Sequence, residues 1–172
     1  MSLIQQKIPT INSSSGFSLI EVLVSFLVLA AGLLGVASMQ TKGVENSHGA
    51  YLRTQAVSMS QDMSSRIRGN SEGVDLGSYN SPKAASKASC LSTGCSAEEM
   101  AGHDFFEWET EVAQVLPQGE GIVCLDSTPD DGDDAASHEC DGAGTELVIK
   151  IWWDGQLKDG KVDQRYSIPV RL

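Results

Sequence analysis

The sequence predicts an α+β fold: a long N-terminal helix, apolar in its first half and amphipathic in its second, packed on a small antiparallel β-sheet head. Three observations predict it. An apolar run opens at Phe17 and passes without interruption into apolar residues at helical spacing. A second helical pattern follows a capping box in mid-chain. Alternating residues, the mark of half-buried strands, fill the last third.

The first helix is expected from Phe17 to Arg68. Between Phe17 and Met39 the only charge is Glu21. At about 1.5 Å per residue this run makes a rod of roughly 35 Å, enough to cross a bilayer, so residues 17–40 are read as a transmembrane or filament-core segment. A carboxylate in such a run costs about 2.5–3.5 kcal/mol at the bilayer centre and marks a functional position. Beyond it, over 41–68, Val44, Leu52, Ala56, Met59, Met63 and Ile67 recur at steps of about four, with Tyr51 beside them. Arg66 and Arg68 in the last turn and Gly69 after it form a stop signal. Gly32 and Gly35 are the weak points, each costing about 1 kcal/mol relative to Ala, and any local unwinding would use them.

Asn70 to Gly94 reads as loop, with a helical turn expected at Lys83–Ala88. Ser96 and Glu99 have the spacing of a capping box, and the helix they open, 97–116, carries Ala101, Phe105, Trp108, Val112 and Leu116 on one face before Pro117 ends it. Strands are expected at about 121–126, 145–153 and 162–172. In the second, Leu147, Ile149, Ile151 and Trp153 lie on one face and Val148, Lys150 and Trp152 on the other. In the third, Tyr166, Ile168, Val170 and Leu172 point inward and Arg165, Ser167 and Arg171 outward. Trp108, Trp152 and Trp153 are most simply core residues, although one of the adjacent pair Trp152 and Trp153 must face away from the other, and an outward tryptophan would mark a subunit contact.

Composition narrows the function. The chain has 172 residues with Lys+Arg 12 against Asp+Glu 23, a formal net charge of −11. That balance opposes nucleic-acid binding, which needs clustered Lys and Arg. Four cysteines, all after the apolar run, suit an oxidising compartment. They allow three pairings, of which the two local bridges, Cys90–Cys95 and Cys124–Cys140, are favoured. No C-x-x-C motif or zinc-ligand spacing is present, so no metal or cofactor is expected. The acidic stretch Asp126–Asp134 misses the EF-hand spacing and reads as a solvated, mobile loop, its calcium binding left open. His48, His103 and His138 are scattered, and no catalytic set can be placed from spacing, so an enzyme is not expected.

The residues before the run, Met1 to Ser15, are polar, with Lys7 the only charge. A secretory signal has its small-residue cleavage site after the apolar region. Here the small residues Ser13-Ser14-Ser15-Gly16 come before it. A cut after Gly16 would leave the apolar helix on the product and create an amine at Phe17, one helical turn from Glu21.

Gly16-Phe17-Ser18-Leu19-Ile20-Glu21 followed by an apolar helix resembles the class III signal of type IV pilins and type II secretion pseudopilins. The run from Glu21 to Gln40, and the head stretches Asp104–Trp108 and Leu116–Gly121, look like minor pilins of the PilV kind in type IV pili. The resemblance implies the ladle shape of that family and cleavage of the 1–16 leader peptide between Gly16 and Phe17. Prepilin peptidase, which is also the methyltransferase, would cleave there and N-methylate Phe17. Glu21 would serve subunit docking. It further implies a single-pass inner-membrane protein with a periplasmic head (41–172) that later enters the extracellular pilus (fimbrium). Its partners would be other minor pilins, the major pilin and a tip adhesin. Its role would be to prime pilus assembly at or near the tip. A minor pseudopilin of a type II secretion system is the alternative, and a membrane-tethered binding module is a second.

Overall fold

The computed structural model describes residues 16–157 and 160–172, and the expected leader peptide up to Ser15 lies outside them. The described residues fall into two compact units divided between Gly43 and Val44.

In the first unit, α1 begins; the helix runs over Leu19–Gly69 and passes through Gly32 and Gly35 without a break. Its opening turn is closed by the Ser18 carbonyl, which accepts from the amides of Glu21 at 3.0 Å and Val22 at 3.3 Å. The apolar stretch reaches a mean hydropathy of 2.5 and none of it is buried. Among the described residues α1 is the one helix long and apolar enough to cross a membrane. An apolar surface of this extent needs a bilayer or other protein against it.

The second unit holds the head. The C-terminal part of α1 buries Leu52, Ala56, Met59, Met63 and Ile67, the expected stripe. Val44 and Tyr51 do not join it: they are 70% and 56% exposed. A short helix α2, Ser71–Asp75, occupies ground expected to be loop. Asn70 caps it by accepting from the Gly73 amide, and the same side chain donates to the Ala97 carbonyl at 2.8 Å. The expected turn at Lys83–Ala88 is irregular instead, with a 3₁₀ turn following at Ala88–Leu91. Backbone pairing explains this, because the Ala85 amide is drawn off to the Gly102 carbonyl at 3.0 Å.

Helix α3, Ala97–Val115, opens on the full capping box: Ser96 accepts from the Glu99 amide while the Glu99 carboxylate accepts from the Ser96 amide. Its buried face is the expected one, from Ala101 through Trp108 to Val112. The Trp108 indole N–H donates to the Met59 carbonyl at 2.9 Å and so ties α3 to α1.

Three antiparallel strands, β1 (Glu120–Leu125), β2 (Leu147–Trp153) and β3 (Gln164–Pro169), form a sheet in the order β1-β2-β3. The register sets Ile149 between Val123 and Ile168, and Ile151 between Gly121 and Tyr166. These residues make the face that packs with α1 and α3. Gly121 lies beneath the Trp108 ring, where a Cβ would come within 2.4 Å of it. The third strand is shorter than expected: Val170 is buried, but Leu172 is 72% exposed.

The largest departure concerns the opposite face of the sheet. All seven residues of β2 are buried, Val148, Lys150 and Trp152 included. The chain from Asp126 to Asp141 folds over them, so it is not the solvated loop its composition predicts. Three anchors hold it. The Trp152 indole N–H donates to the Gly132 carbonyl at 3.2 Å. The Arg165 guanidinium donates to the carbonyls of Gly132 and Asp130, each at 2.5 Å. Cys124 on β1 bonds to Cys140 at the end of the cover. Trp152, at 1% exposure, is therefore a core residue and offers no contact to another subunit.

Candidate functional site

Gly16, Phe17 and Glu21 lie together at the exposed start of the first unit. Phe17 is 83% exposed and stands two residues before α1; Glu21 sits in its first turn. Phe17, Glu21, Val22, Ser25, Phe26 and Leu29 line one shallow hollow of about 410 Å³. Their spacing of four explains the grouping, since positions i, i+4 and i+8 share a helix face. Glu21 is thus the one charged group on an otherwise apolar wall. It lies where the helix presents unpaired N–H groups and a partial positive charge. The Ser25 hydroxyl donates to the Glu21 carbonyl at 2.7 Å, a bond within the helix that leaves the carboxylate free of it.

Chemically, this arrangement can attract one cation in a low-dielectric setting. A charge pair there is several-fold stronger than in water, where a high dielectric screens it. A new amine at Phe17 would lie on the same face as the carboxylate, one turn away.

The head holds two polar clusters that spacing did not reveal. In the first, Arg66 of α1 bonds to Asp62 at 2.8 Å and to Glu107 of α3 at 2.9 Å, with Asp104 at 3.6 Å. Burial works against the Arg66 charge, but the Glu107 and Asp62 carboxylates outweigh it and hold its pKa above the usual value. Tyr79 donates to Asp104 at 2.6 Å; burial first, and that bond second, push its phenol upward. His103 is buried on the same side of α3, its Nε2 3.4 Å from Glu107 and its Nδ1 accepting from the Lys87 amide. Arg66–Glu107, Tyr79–Asp104 and Lys87–His103 each join two elements, so the cluster fastens α1, α3 and the 70–87 segment together.

The second cluster lies under the cover. Lys150 is wholly buried, with its Nζ 2.5 Å from Asp126 Oδ2, 2.6 Å from Asp131 Oδ1 and 2.9 Å from the His138 carbonyl. Hydrogen bonding from Lys150, and then from Thr128, holds the Asp131 carboxyl below the usual range. Asp126 also stands with Cys124 and Cys140 in a group whose potential ligand atoms lie within 4.8 Å of one another. Both sulfurs are spent in a disulfide and the carboxylate faces the Lys150 ammonium, so the donor set does not suit a cation.

The other disulfide joins Cys90 to Cys95 and ties the 3₁₀ turn to the cap of α3. All four cysteines are thus paired locally, as favoured from the sequence.

Two protein-family models match the chain. The prokaryotic N-terminal methylation motif covers residues 11–37, which include Gly16, Phe17 and Glu21. The type IV pilin Tt1218-like model covers residues 38–106, from the end of the apolar run into α3. No curated protein and no solved structure gives a significant match.

Proposed function

The chain is a type IV pilin-like protein, and from that premise we propose that it is a minor pilin of the PilV kind that primes filament assembly at or near the pilus tip. The family is structural rather than enzymatic, and the mechanism is one of packing. Prepilin peptidase cuts between Gly16 and Phe17 and methylates the Phe17 amine. The helix from Phe17 to Met39 holds the product in the inner membrane with its head in the periplasm. On extraction, the apolar walls of neighbouring helices replace lipid, and the Glu21 carboxylate meets the Phe17 ammonium of an adjoining subunit. Only one axial stagger brings these charges together, so the pair sets register. The head then selects its neighbours: other minor pilins, the major pilin and a tip adhesin.

The observation that carries this reading is Glu21 alone on the apolar wall that starts at Phe17, in the apolar stretch of α1, none of which is buried. The test is chemical and then genetic. Membrane-extracted protein should begin at N-methylated Phe17 by N-terminal sequencing and mass. Gly16→Ala should leave the leader attached. Glu21→Ala and Glu21→Val should be processed but should drop out of sheared filaments. Wild-type protein that keeps Met1, or Glu21 variants that enter filaments undiminished, would overturn the proposal. A place at the tip further requires that the protein be scarce relative to the major subunit in those filaments.

A further inference from the structure

The cluster beneath the cover takes no part in filament packing as proposed above, yet its geometry is that of a reaction. A lysine and an aspartate, both with 0% side-chain exposure, face each other at 2.5 Å. The contact is not aligned as a hydrogen bond, and Asp126 Oδ2 has no hydrogen-bond partner. Adding one C–O bond to that separation sets an upper bound of about 3.8 Å between the Lys150 nitrogen and the Asp126 carboxyl carbon, a small shift from the roughly 3–3.5 Å at which an amine attacks. Nζ is held in place by the Asp131 carboxylate at 2.6 Å and the His138 carbonyl at 2.9 Å. The side chain is rooted in the central strand, and Asp126 follows directly on its neighbour β1, bridged nearby by Cys124–Cys140.

We infer that Lys150 and Asp126 form an intramolecular isopeptide bond, with Asp131 as the proton shuttle. The pair starts as ammonium and carboxylate. The step begins with transfer of a proton from Nζ to the Asp126 carboxyl, which leaves a neutral amine beside a neutral acid. The nitrogen lone pair attacks the carboxyl carbon and the C–N bond forms. Asp131 accepts one N–H proton from the tetrahedral intermediate and returns it to the departing hydroxyl. The C–O bond breaks, one water leaves and an amide remains. Its single N–H faces the oxygens that held the amine. No oxidant or co-reactant is needed, and Asp131 ends as it began. The product would clamp the cover to the sheet by a bond that reductants cannot open, unlike the disulfide beside it.

The test is the intact mass of the detergent-extracted full chain with its disulfides closed, followed by tryptic mapping. The wild type should be one water lighter than the mass calculated for its chain from its observed first residue, with any N-methyl group and the two closed disulfides counted, and should show no cleavage after Lys150 and a branched peptide joining Lys150 to Asp126. Lys150→Arg and Asp126→Ala should each match the mass calculated for their own chain in the same way. Asp131→Asn keeps both reacting groups and a bond to Nζ, and it should accumulate the unlinked form. Because the wild-type mass decides by itself, a variant that misfolds does not blunt the test. A wild type at full mass overturns the inference. So does a lost water that maps to an Asp–Gly succinimide, such as Asp131–Gly132 or Asp141–Gly142.

Discussion

Gly121 on β1 offers a prediction in which the sign of the effect decides the reasoning. Glycine inside a strand is ordinarily a weakness, and replacing it with alanine gains about 0.5–1 kcal/mol through backbone entropy. Here the added Cβ would lie 2.4 Å from one carbon of the Trp108 ring and 2.7 Å from the next. Neither partner can yield freely. Trp108 is fully buried, and its indole N–H is bonded to Met59 across the core. Overpacking of this kind costs about 1–3 kcal/mol, so Gly121→Ala should destabilise the head by about 1–2 kcal/mol net. The cycle with Trp108→Phe isolates the cause. Phenylalanine lacks the ring atoms that strike the new Cβ, though on its own it gives up the indole hydrogen bond and leaves space. The double variant should therefore be more stable than the sum of the single losses by about 1 kcal/mol, within the usual coupling of touching residues. Urea unfolding of the Val44–Leu172 unit with disulfides intact, followed by circular dichroism, gives each value. A neutral or stabilising Gly121→Ala, or strictly additive variants, would refute the close-approach account.

Three further outcomes follow from the same structure. Met63 is fully buried on α1, so Met63→Ala should cost about 2–5 kcal/mol in the same unfolding assay, whereas Val44→Ala at 70% exposure should stay within about 0.5 kcal/mol. Replacing Cys124 and Cys140 together by Ala opens a loop of sequence separation 16 and should cost about 3 kcal/mol on the chain-entropy estimate, read from the urea midpoint and from new protease cleavage between Asp126 and Asp141. Acid should weaken the head in a defined window. The Glu99, Asp141 and Asp163 carboxyls are held below their usual range, chiefly by bonds from the Lys87 side chain, the Ser127 hydroxyl and the Gly155 amide respectively. A depressed folded pKa means that the unfolded chain binds more protons, so stability rises with pH there. The melting temperature should be flat above about pH 5 and should fall as pH drops through and below about 4, and Asp163→Asn should flatten that fall.

The sequence by itself determined most of what depends on local order, the short α2 and the irregular 83–87 stretch excepted. The apolar run, its single acid, the stop at Gly69, the Ser96–Glu99 cap and the strand alternation are all set by neighbours within a few residues, so their spacing reads directly as helix, cap and strand. That Phe17 and Glu21 come to line one hollow was legible for the same reason, because a spacing of four follows a helix face. What only the tertiary structure decided was what lies against each face. Alternation correctly separates Leu147, Ile149 and Ile151 from Val148, Lys150 and Trp152, yet it cannot say that both sides are covered. An acidic, glycine-containing stretch reads as solvated until a buried lysine, an arginine and a tryptophan N–H are found to satisfy it. One clue was present. Cys124 shares its side of the sheet with Val148 and Lys150, so its bridge to Cys140 brings the acidic stretch onto that face. Composition reports how a segment would behave alone in water, and only the fold supplies the partners that change the balance.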